Sequence, residues 1–332
     1  MLFRSIAVRA GASSVALYST RSLRRLRRFA VQAGGDVIGL AWSSAGELAV
    51  TGDGGRVQLW DVTGRPRLVR ALRGLRSINK LPEAVTTTAF SPDGGLVAAG
   101  DMNLTPKTIP YLFGTIAVWT TSGKRLWLTT RRGRISTVVF SPDGKTIAAC
   151  RDDGAVLIYD ARTGHLERTL HLEGTGNLYF TTAAFSPNGK LLATGTAAGI
   201  EQLWNPATGA QIGHPTAVAA APVSTIAFDP AGDTFATTGG SDGLAKLWMT
   251  KTQQQFGAAF PGDPGQWGDA QYTPDGSKLI VVYQDGTGFV WPVSLHAWED
   301  HACAVAGRSL TREEWSRFIG GRHYSAVCNG RS

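Results

Sequence analysis

The 332-residue chain is 43% hydrophobic and 17% charged, which is enough apolar material for one large core, and its formal net charge is +8. It has no apolar run of the roughly 20 residues a membrane-spanning helix needs. Three cysteines exclude a disulfide-dense scaffold, and no Cys/His spacing fits a zinc site.

The first 35 residues hold seven Arg and no acid. That composition is shared with mitochondrial transit peptides. From residue 37 onward a phrase recurs. It is whole at Phe90-Ser-Pro-Asp-Gly94 and Phe140-Ser-Pro-Asp-Gly144. Near copies are Phe185-Ser-Pro-Asn-Gly189, Phe228-Asp-Pro-Ala-Gly232 and Tyr272-Thr-Pro-Asp-Gly276, with a worn copy at Trp42-Ser-Ser-Ala-Gly46. The lead aromatics are 48, 50, 45, 43 and 44 residues apart, a period that marks a repeat architecture.

Each copy reads the same way. An alternating stretch such as Val223-Ser-Thr-Ile-Ala-Phe228 is a half-buried strand. Pro then presets the first turn corner, and Gly supplies the positive φ that closes a hairpin. A second apolar strand follows, then a Gly/Asp turn. A third strand ends on an aromatic: Trp60, Trp119, Tyr159, Trp204, Trp248 or Trp291. A fourth strand completes the unit. One four-stranded sheet cannot bury both faces alone, so the units must stack radially.

The pattern resembles WD-repeat β-propellers over residues 37–292, with the Leu59-Trp60-Asp61 ending favouring that type over the TolB-like propellers that share the turn phrase. The Gly-His pair of many WD repeats is missing here, while the turn Asp stands at Asp53, Asp153, Asp242 and Asp285. We therefore expect these Asp residues to be structural, and the blades to rest on apolar packing.

The same register extends back into the Arg-rich segment. Twelve residues before the closing aromatic stands an apolar residue at Leu48, Ile147, Leu192 and Leu279. Twelve before Tyr18 stands Ile6. Residues 1–31 thus read as a partial repeat without its first strand, ahead of full repeats starting near 37, 84, 135, 179, 223 and 267. The expected fold is all-β, a seven-bladed propeller with an incomplete first blade over 1–293; six blades is the alternative. On this reading the chain is the C-terminal portion of a longer protein.

Where copies differ, function is expected. The turn Asp101–Gly114 is about ten residues longer than its counterparts and carries Ile109, Tyr111, Leu112 and Phe113. These residues are either interface anchors or an extension of the third strand. Arg73, Arg76 and Lys80 precede this turn, and Arg131, Arg132 and Arg134 follow it. On propeller topology they share one face and form a basic patch suited to acidic partners or phosphates.

Catalysis is not expected. Gly144-Lys145-Thr146 ends like a phosphate loop, but the required upstream Gly is Val139. Carboxylates come one per repeat as turn residues, so no catalytic, cofactor or metal residue is named. The reading is a scaffold or sensor that binds proteins or peptides on its loop face. A nucleic-acid or polyanion binder is the second reading, and a TolB-like hydrolase propeller the third.

Beyond Trp291 the repeat stops, and residues 294–332 read as a helical tail. A helix is expected over 295–306 and a capping-box start at Thr311-Arg-Glu-Glu314, with Trp298, Trp315 and Phe318 as its core. Cys303 and Cys328 both lie in the tail and are expected as a free pair, with a bridge between them as the alternative, and Cys150 as a buried, inert thiol. The tail is similar to those of bacterial, notably actinobacterial, WD-repeat proteins linked to STAND-type NTPases. That resemblance implies a cytoplasmic signalling role.

Overall fold

The computed structural model describes residues 5–20, 24–32, 35–52, 54–72, 75, 83–103, 113–172, 179–220, 222–240, 242–283, 285–294, 303, 308–309, 311–314 and 328. Among them, 25 strands form seven antiparallel sheets in strict chain order. Sheet one is β1 (Ser5–Arg9), β2 (Ser14–Ser19) and β3 (Arg25–Ala30). Sheet two is β4 (Val37–Trp42), β5 (Glu47–Gly52), β6 (Val57–Asp61) and β7 (Arg67–Leu72). Sheet three is β8 (Glu83–Phe90), β9 (Leu96–Asn103), β10 (Phe113–Thr120) and β11 (Arg125–Arg132). Sheet four is β12 (Ile135–Phe140), β13 (Thr146–Arg151), β14 (Ala155–Asp160) and β15 (Leu166–His171). Sheet five is β16 (Phe180–Phe185), β17 (Leu192–Thr196), β18 (Ile200–Trp204) and β19 (Gln211–Ala217). Sheet six is β20 (Val223–Phe228), β21 (Thr234–Gly239) and β22 (Ala245–Met249). Sheet seven is β23 (Gly268–Tyr272), β24 (Lys278–Tyr283) and β25 (Gly288–Pro292).

The first strands of sheets two to seven lie against one another in succession, β4 on β8, β8 on β12, β12 on β16, β16 on β20 and β20 on β23. They form the inside of a seven-bladed β-propeller. Threonines tie these inner strands across the seams. Thr86 Oγ1 donates to the Ile135 carbonyl at 2.9 Å and Thr181 Oγ1 to the Val223 carbonyl at 2.6 Å.

Six apolar clusters fill six seams between consecutive sheets. In each, the closing aromatic and the aromatic that leads the turn phrase face the preceding sheet. Phe140 and Tyr159 meet Ala98, Ile116 and Val118 of sheet three in this way. At about 25 cal/mol per Å² of apolar surface buried, these seams are the main stabilising contribution.

The turn phrase is a self-contained hydrogen-bonded unit. Gly94 N–H donates to the Ser91 carbonyl at 2.8 Å, and Gly94 has φ 72°. The Ser91 hydroxyl donates to Asp93 Oδ1 at 2.5 Å and accepts from the Leu96 N–H at 2.8 Å. Ser141 and Asp143 repeat the arrangement, and Ser186 with Asn188 and Thr273 with Asp275 match it. The turn glycines from Gly94 onward also abut the preceding turn. A Cβ on Gly276 would sit 3.2 Å from Pro230, and one on Gly144 would sit 3.5 Å from Pro92.

The partial-repeat register holds. Ile6 pairs with Tyr18 just as Ile147 pairs with Tyr159, Leu48 with Trp60, Leu192 with Trp204 and Leu279 with Trp291. Sheet one therefore supplies second, third and fourth strands, giving seven blades and not six. Sheets six and seven differ from the four-strand expectation, with three strands each among the described residues. In sheet six, isolated bridges Trp248–Gln255 and Ala245–Phe260 stand where a fourth strand belongs. Pro261 and Pro264 follow that stretch and cannot donate to a ladder.

In the tail, Cys303 and Cys328 are joined in a disulfide with Cα atoms 5.4 Å apart, which corrects the expected free pair. Spacing alone could not show that the two residues meet. Cys150 is fully buried, and burial pushes its thiol pKa up. The capping box is present: the Thr311 N–H donates to Glu314 Oε2 at 2.8 Å, and the Glu314 N–H to Thr311 Oγ1 at 3.2 Å. Trp298, Trp315 and Phe318 lie outside the described residues.

The turn geometry predicts that Gly144→Ala, which forces a side chain into φ 69°, destabilises the protein by about 1 kcal/mol or more. Equilibrium urea unfolding checks this; an unchanged midpoint would refute the turn's requirement for Gly.

A candidate interaction face

Strand direction sorts the loops onto two faces. Inner strands run toward the face of turn phrases, which is uniform and internally satisfied. The opposite face collects the turns between second and third strands and the connections between sheets, where the copies diverge.

Sheet three is the tallest blade on that divergent face, because all four of its strands span eight residues. Part of the long turn is therefore strand. Phe113 opens β10, half-buried and paired with Arg132, while Gly114 pairs with Arg131. The structure thus brings Phe113 beside two exposed arginines. Ile109, Tyr111 and Leu112 lie outside the described residues, as do Arg73, Arg76, Lys80 and Asp53.

Arg134 is already engaged. Its Nε donates to Asp152 Oδ2 at 2.7 Å, and its backbone N–H to Oδ1 at 2.9 Å. Arg151 Nε pairs with Asp153 at 2.9 Å. Lys246 Nζ sits 3.8 Å from Asp242 and donates to the Val218 carbonyl at 2.9 Å. Much of the positive charge here is neutralised locally, so the patch is narrower than a count of basic residues suggests.

The turn Asp residues act on their own turns. Asp242 accepts from the Leu244 N–H at 3.0 Å, Asp153 from the Ala155 N–H at 3.3 Å, and Asp285 from the Thr287 N–H and hydroxyl at 2.9 and 2.7 Å. The hydrogen bonds from Thr287 hold the Asp285 carboxyl below the usual range. Asp275, bonded to the Thr273 hydroxyl and to Ser277, is pulled down to about 2.

Trp60, Trp119, Trp204 and Trp248 are buried in the seams, whereas Trp291 is half-buried and stacks on Phe260 at 5.3 Å. Two indoles are satisfied by a feature the sequence reading missed. Trp204 Nε1 donates to Thr194 Oγ1 at 2.9 Å, and Trp248 Nε1 to Thr237 Oγ1 at 2.8 Å. A threonine in the second strand supplies the polar contact without a histidine.

Two further residues escaped the sequence reading. Tyr179 and Trp267 immediately precede the inner strands β16 and β23 and are 47% and 42% exposed. By count, Trp267 stands where Ile135, Phe180 and Val223 are buried. Those strands carry a bulge after that residue, and β23 carries none, so Trp267 is not turned inward. It lies over Gly240, where a Cβ would come within 3.1 Å of its ring.

The chain matches the family model described as WD domain, G-beta repeat over residues 24–61 and 210–249. Over 112–180 it matches the anaphase-promoting complex subunit 4 WD40 domain. The fold is that of a WD-repeat β-propeller. Telomerase protein component 1 of Mus musculus is 26% identical over 63% of this chain, covering 8% of its own length. Nuclear distribution protein PAC1 of Arthroderma benhamiae is 26% identical over 61% of this chain and 48% of its own. A guanine nucleotide-binding protein subunit beta of Arabidopsis thaliana is 42% identical over 20% of this chain and 18% of its own. The chain spans less than half the length of each of these relatives.

Two buried carboxyls border the divergent face of this propeller. Asp101, at the top of β9, accepts from the Thr115 N–H at 2.6 Å, yet burial raises its pKa to about 6. Glu201 in β18 is fully buried, neither carboxyl oxygen has a hydrogen-bond partner, and burial raises its pKa to about 8. The native state therefore holds a proton on Glu201 that the unfolded chain releases near 4.5. Through Glu201, stability falls as pH rises from about 4.5 to about 8. Glu201→Gln should remove this share of the pH dependence, leaving the smaller share of Asp101, and stabilise the protein on the alkaline side by on the order of a few kcal/mol, with little effect near pH 4.5. Thermal unfolding across this range tests it; parallel curves for the two proteins would disprove it.

Proposed function

We propose that this propeller is a non-catalytic platform for protein partners, which it binds on the divergent face. The observation that carries the reading is the exposure of Tyr179 and Trp267 on one rim, with Phe113, Arg131 and Arg132 raised on the same face by sheet three. Aromatic and arginine side chains are the residue types that dominate binding energy at protein interfaces. The carboxylates, by contrast, are spent inside turns. Asp61 accepts from Thr63 and Arg67, and Asp160 from Arg162 and Thr163, which leaves neither aimed at a shared point.

A polyanion partner is the weaker reading, because Arg134 and Arg151 are paired with Asp152 and Asp153. A sensor or scaffold role in a bacterial cytoplasmic signalling protein is supported by the likeness of the tail alone.

The test is affinity capture from the native cell extract. Tyr179→Ala with Trp267→Ala should deplete the bound partner about tenfold or more, since truncating a buried aromatic anchor costs about 2 kcal/mol. Lys190→Glu, on the face of turn phrases, should not. Identical partner sets for both variants would overturn the assignment. Binding to a DNA oligonucleotide that falls steeply with salt would instead favour the polyanion reading.

A further inference from the structure

The net charge of +8 is not spread evenly over the ring. It gathers on the outer strands of three consecutive sheets, toward the end where those strands begin. Residues 24–30, 62–72 and 120–126 hold β3, β7 with its turn and the start of β11 with its turn. Together they contain nine Lys and Arg and no acid. The matching segments of the next sheets differ. Residues 161–171 mix two Arg with a Glu, 205–217 have no acid, Lys or Arg, and 250–262 have one Lys.

Two of these arginines are held in place by the fold. Arg27, opposite Leu17 in the register, donates to the Gly64 carbonyl in the turn of sheet two. Arg70, opposite Leu59, takes the same position one sheet on. It lies over the turn of sheet three, where a Cβ on Gly123 would come within 2.8 Å of its Cδ. Trp127 and Arg168 stand in this position in sheets three and four, and donate to the Ala161 and Ala207 carbonyls at 2.9 and 2.7 Å. The position is thus a strap from one blade to the next, and sheets one and two fill it with a cation. A carbonyl acceptor satisfies the N–H groups without cancelling the charge. Arg67 is paired with Asp61 at 3.0 Å, while Arg25 and Arg65 are exposed.

Aliphatic side chains stand in solvent among these arginines: Leu26 is 52% exposed, Leu68 44% and Val69 42%. The aromatics of the same segments are engaged inward, Phe29 on Trp60 at 5.1 Å and Trp127 on Tyr159 at 5.6 Å, so nothing here is placed to stack on a base. Consecutive outer strands of a seven-bladed ring point about 50° apart. A flat lipid surface therefore meets two of them at most, whereas the charge continues over three.

We propose that this rim binds an acidic segment of a partner protein that carries apolar residues between its Asp and Glu. Its carboxylates meet the arginines, and its apolar side chains cover Leu26, Leu68 and Val69. Charge disfavours two other occupants. The tail over 294–332 holds five Arg against four acids, and a second copy of this chain is itself cationic. The rim lies apart from Tyr179 and Trp267, so its failure leaves the reading of the divergent face standing.

The probe is a fluorescent peptide of about twelve residues that repeats Glu-Leu-Asp, titrated against the full chain by anisotropy. Arg25→Glu with Arg65→Glu should weaken binding about tenfold or more, and raising salt from about 50 to about 200 mM should weaken it several-fold. Both side chains are exposed, so neither change disturbs packing. Lys251→Glu, on sheet six, should leave the affinity unchanged. Leu68→Ser should weaken the Glu-Leu-Asp peptide and not a Glu-Ser-Asp peptide of equal charge. Equal binding by the parent chain and the arginine variant overturns the proposal. So does equal affinity of the parent chain for the two peptides, which would mean an effect of charge alone. A DNA oligonucleotide or phosphatidylserine vesicles that bind more tightly than the peptide, and lose binding in the same arginine variant, would overturn it in favour of that partner.

Discussion

Every blade of this propeller depends on its neighbour, because a twisted sheet of three or four short strands has two apolar faces and cannot cover either alone. The seam is the stabilising unit. The closing aromatic of one sheet, its second strand and the aromatic leading its turn phrase are pressed onto the preceding sheet. This arrangement makes the repeat directional. Each sheet offers a small-residue face forward, such as Ala98, Ala148 or Ala236, and a large-residue face backward. A ring is the only closed arrangement in which every such pair is used.

Polar groups are handled locally so that the seams stay dry. The Ser, Asp and Gly of the turn phrase satisfy one another within a few residues, and inner-strand threonines reach carbonyls of the adjacent blade. The Trp204 and Trp248 N–H groups end on threonine hydroxyls, and those of Trp60 and Trp127 on Gln58 and the Ala161 carbonyl. Glu201 and Asp101 depart from this economy. Both carry an unpartnered carboxyl oxygen where the divergent face meets the core, so part of the stability of the ring there depends on protonation.

The divergent face follows from the same division of labour. Turn phrases must fit one beneath the next, with Gly144, Gly189, Gly232 and Gly276 each against the preceding proline, so that face tolerates little variation. The other end carries no such restraint. There β8 to β11 lengthen, β23 loses its bulge, and Trp267 and Tyr179 stand in solvent. Interaction residues accumulate where the packing leaves room.

How much was legible follows from what is local. The period of the turn phrase, the strand alternation and the twelve-residue spacing from Ile6 to Tyr18 are short-range patterns, so blade number and the partial first repeat could be read directly. The capping box at Thr311 and Glu314 was legible for the same reason. The Cys303–Cys328 bridge, the pairing of Arg134 with Asp152 and the exposure of Trp267 were not. Each depends on which distant residue arrives beside it, or on a bulge that no residue type encodes. Seven units and the faces they must bury are set by local order along the chain, because hydrophobic period and turn chemistry act over a few bonds. Which charges are spent and which aromatics stay exposed depends on how distant strands meet, so only the folded ring settles it.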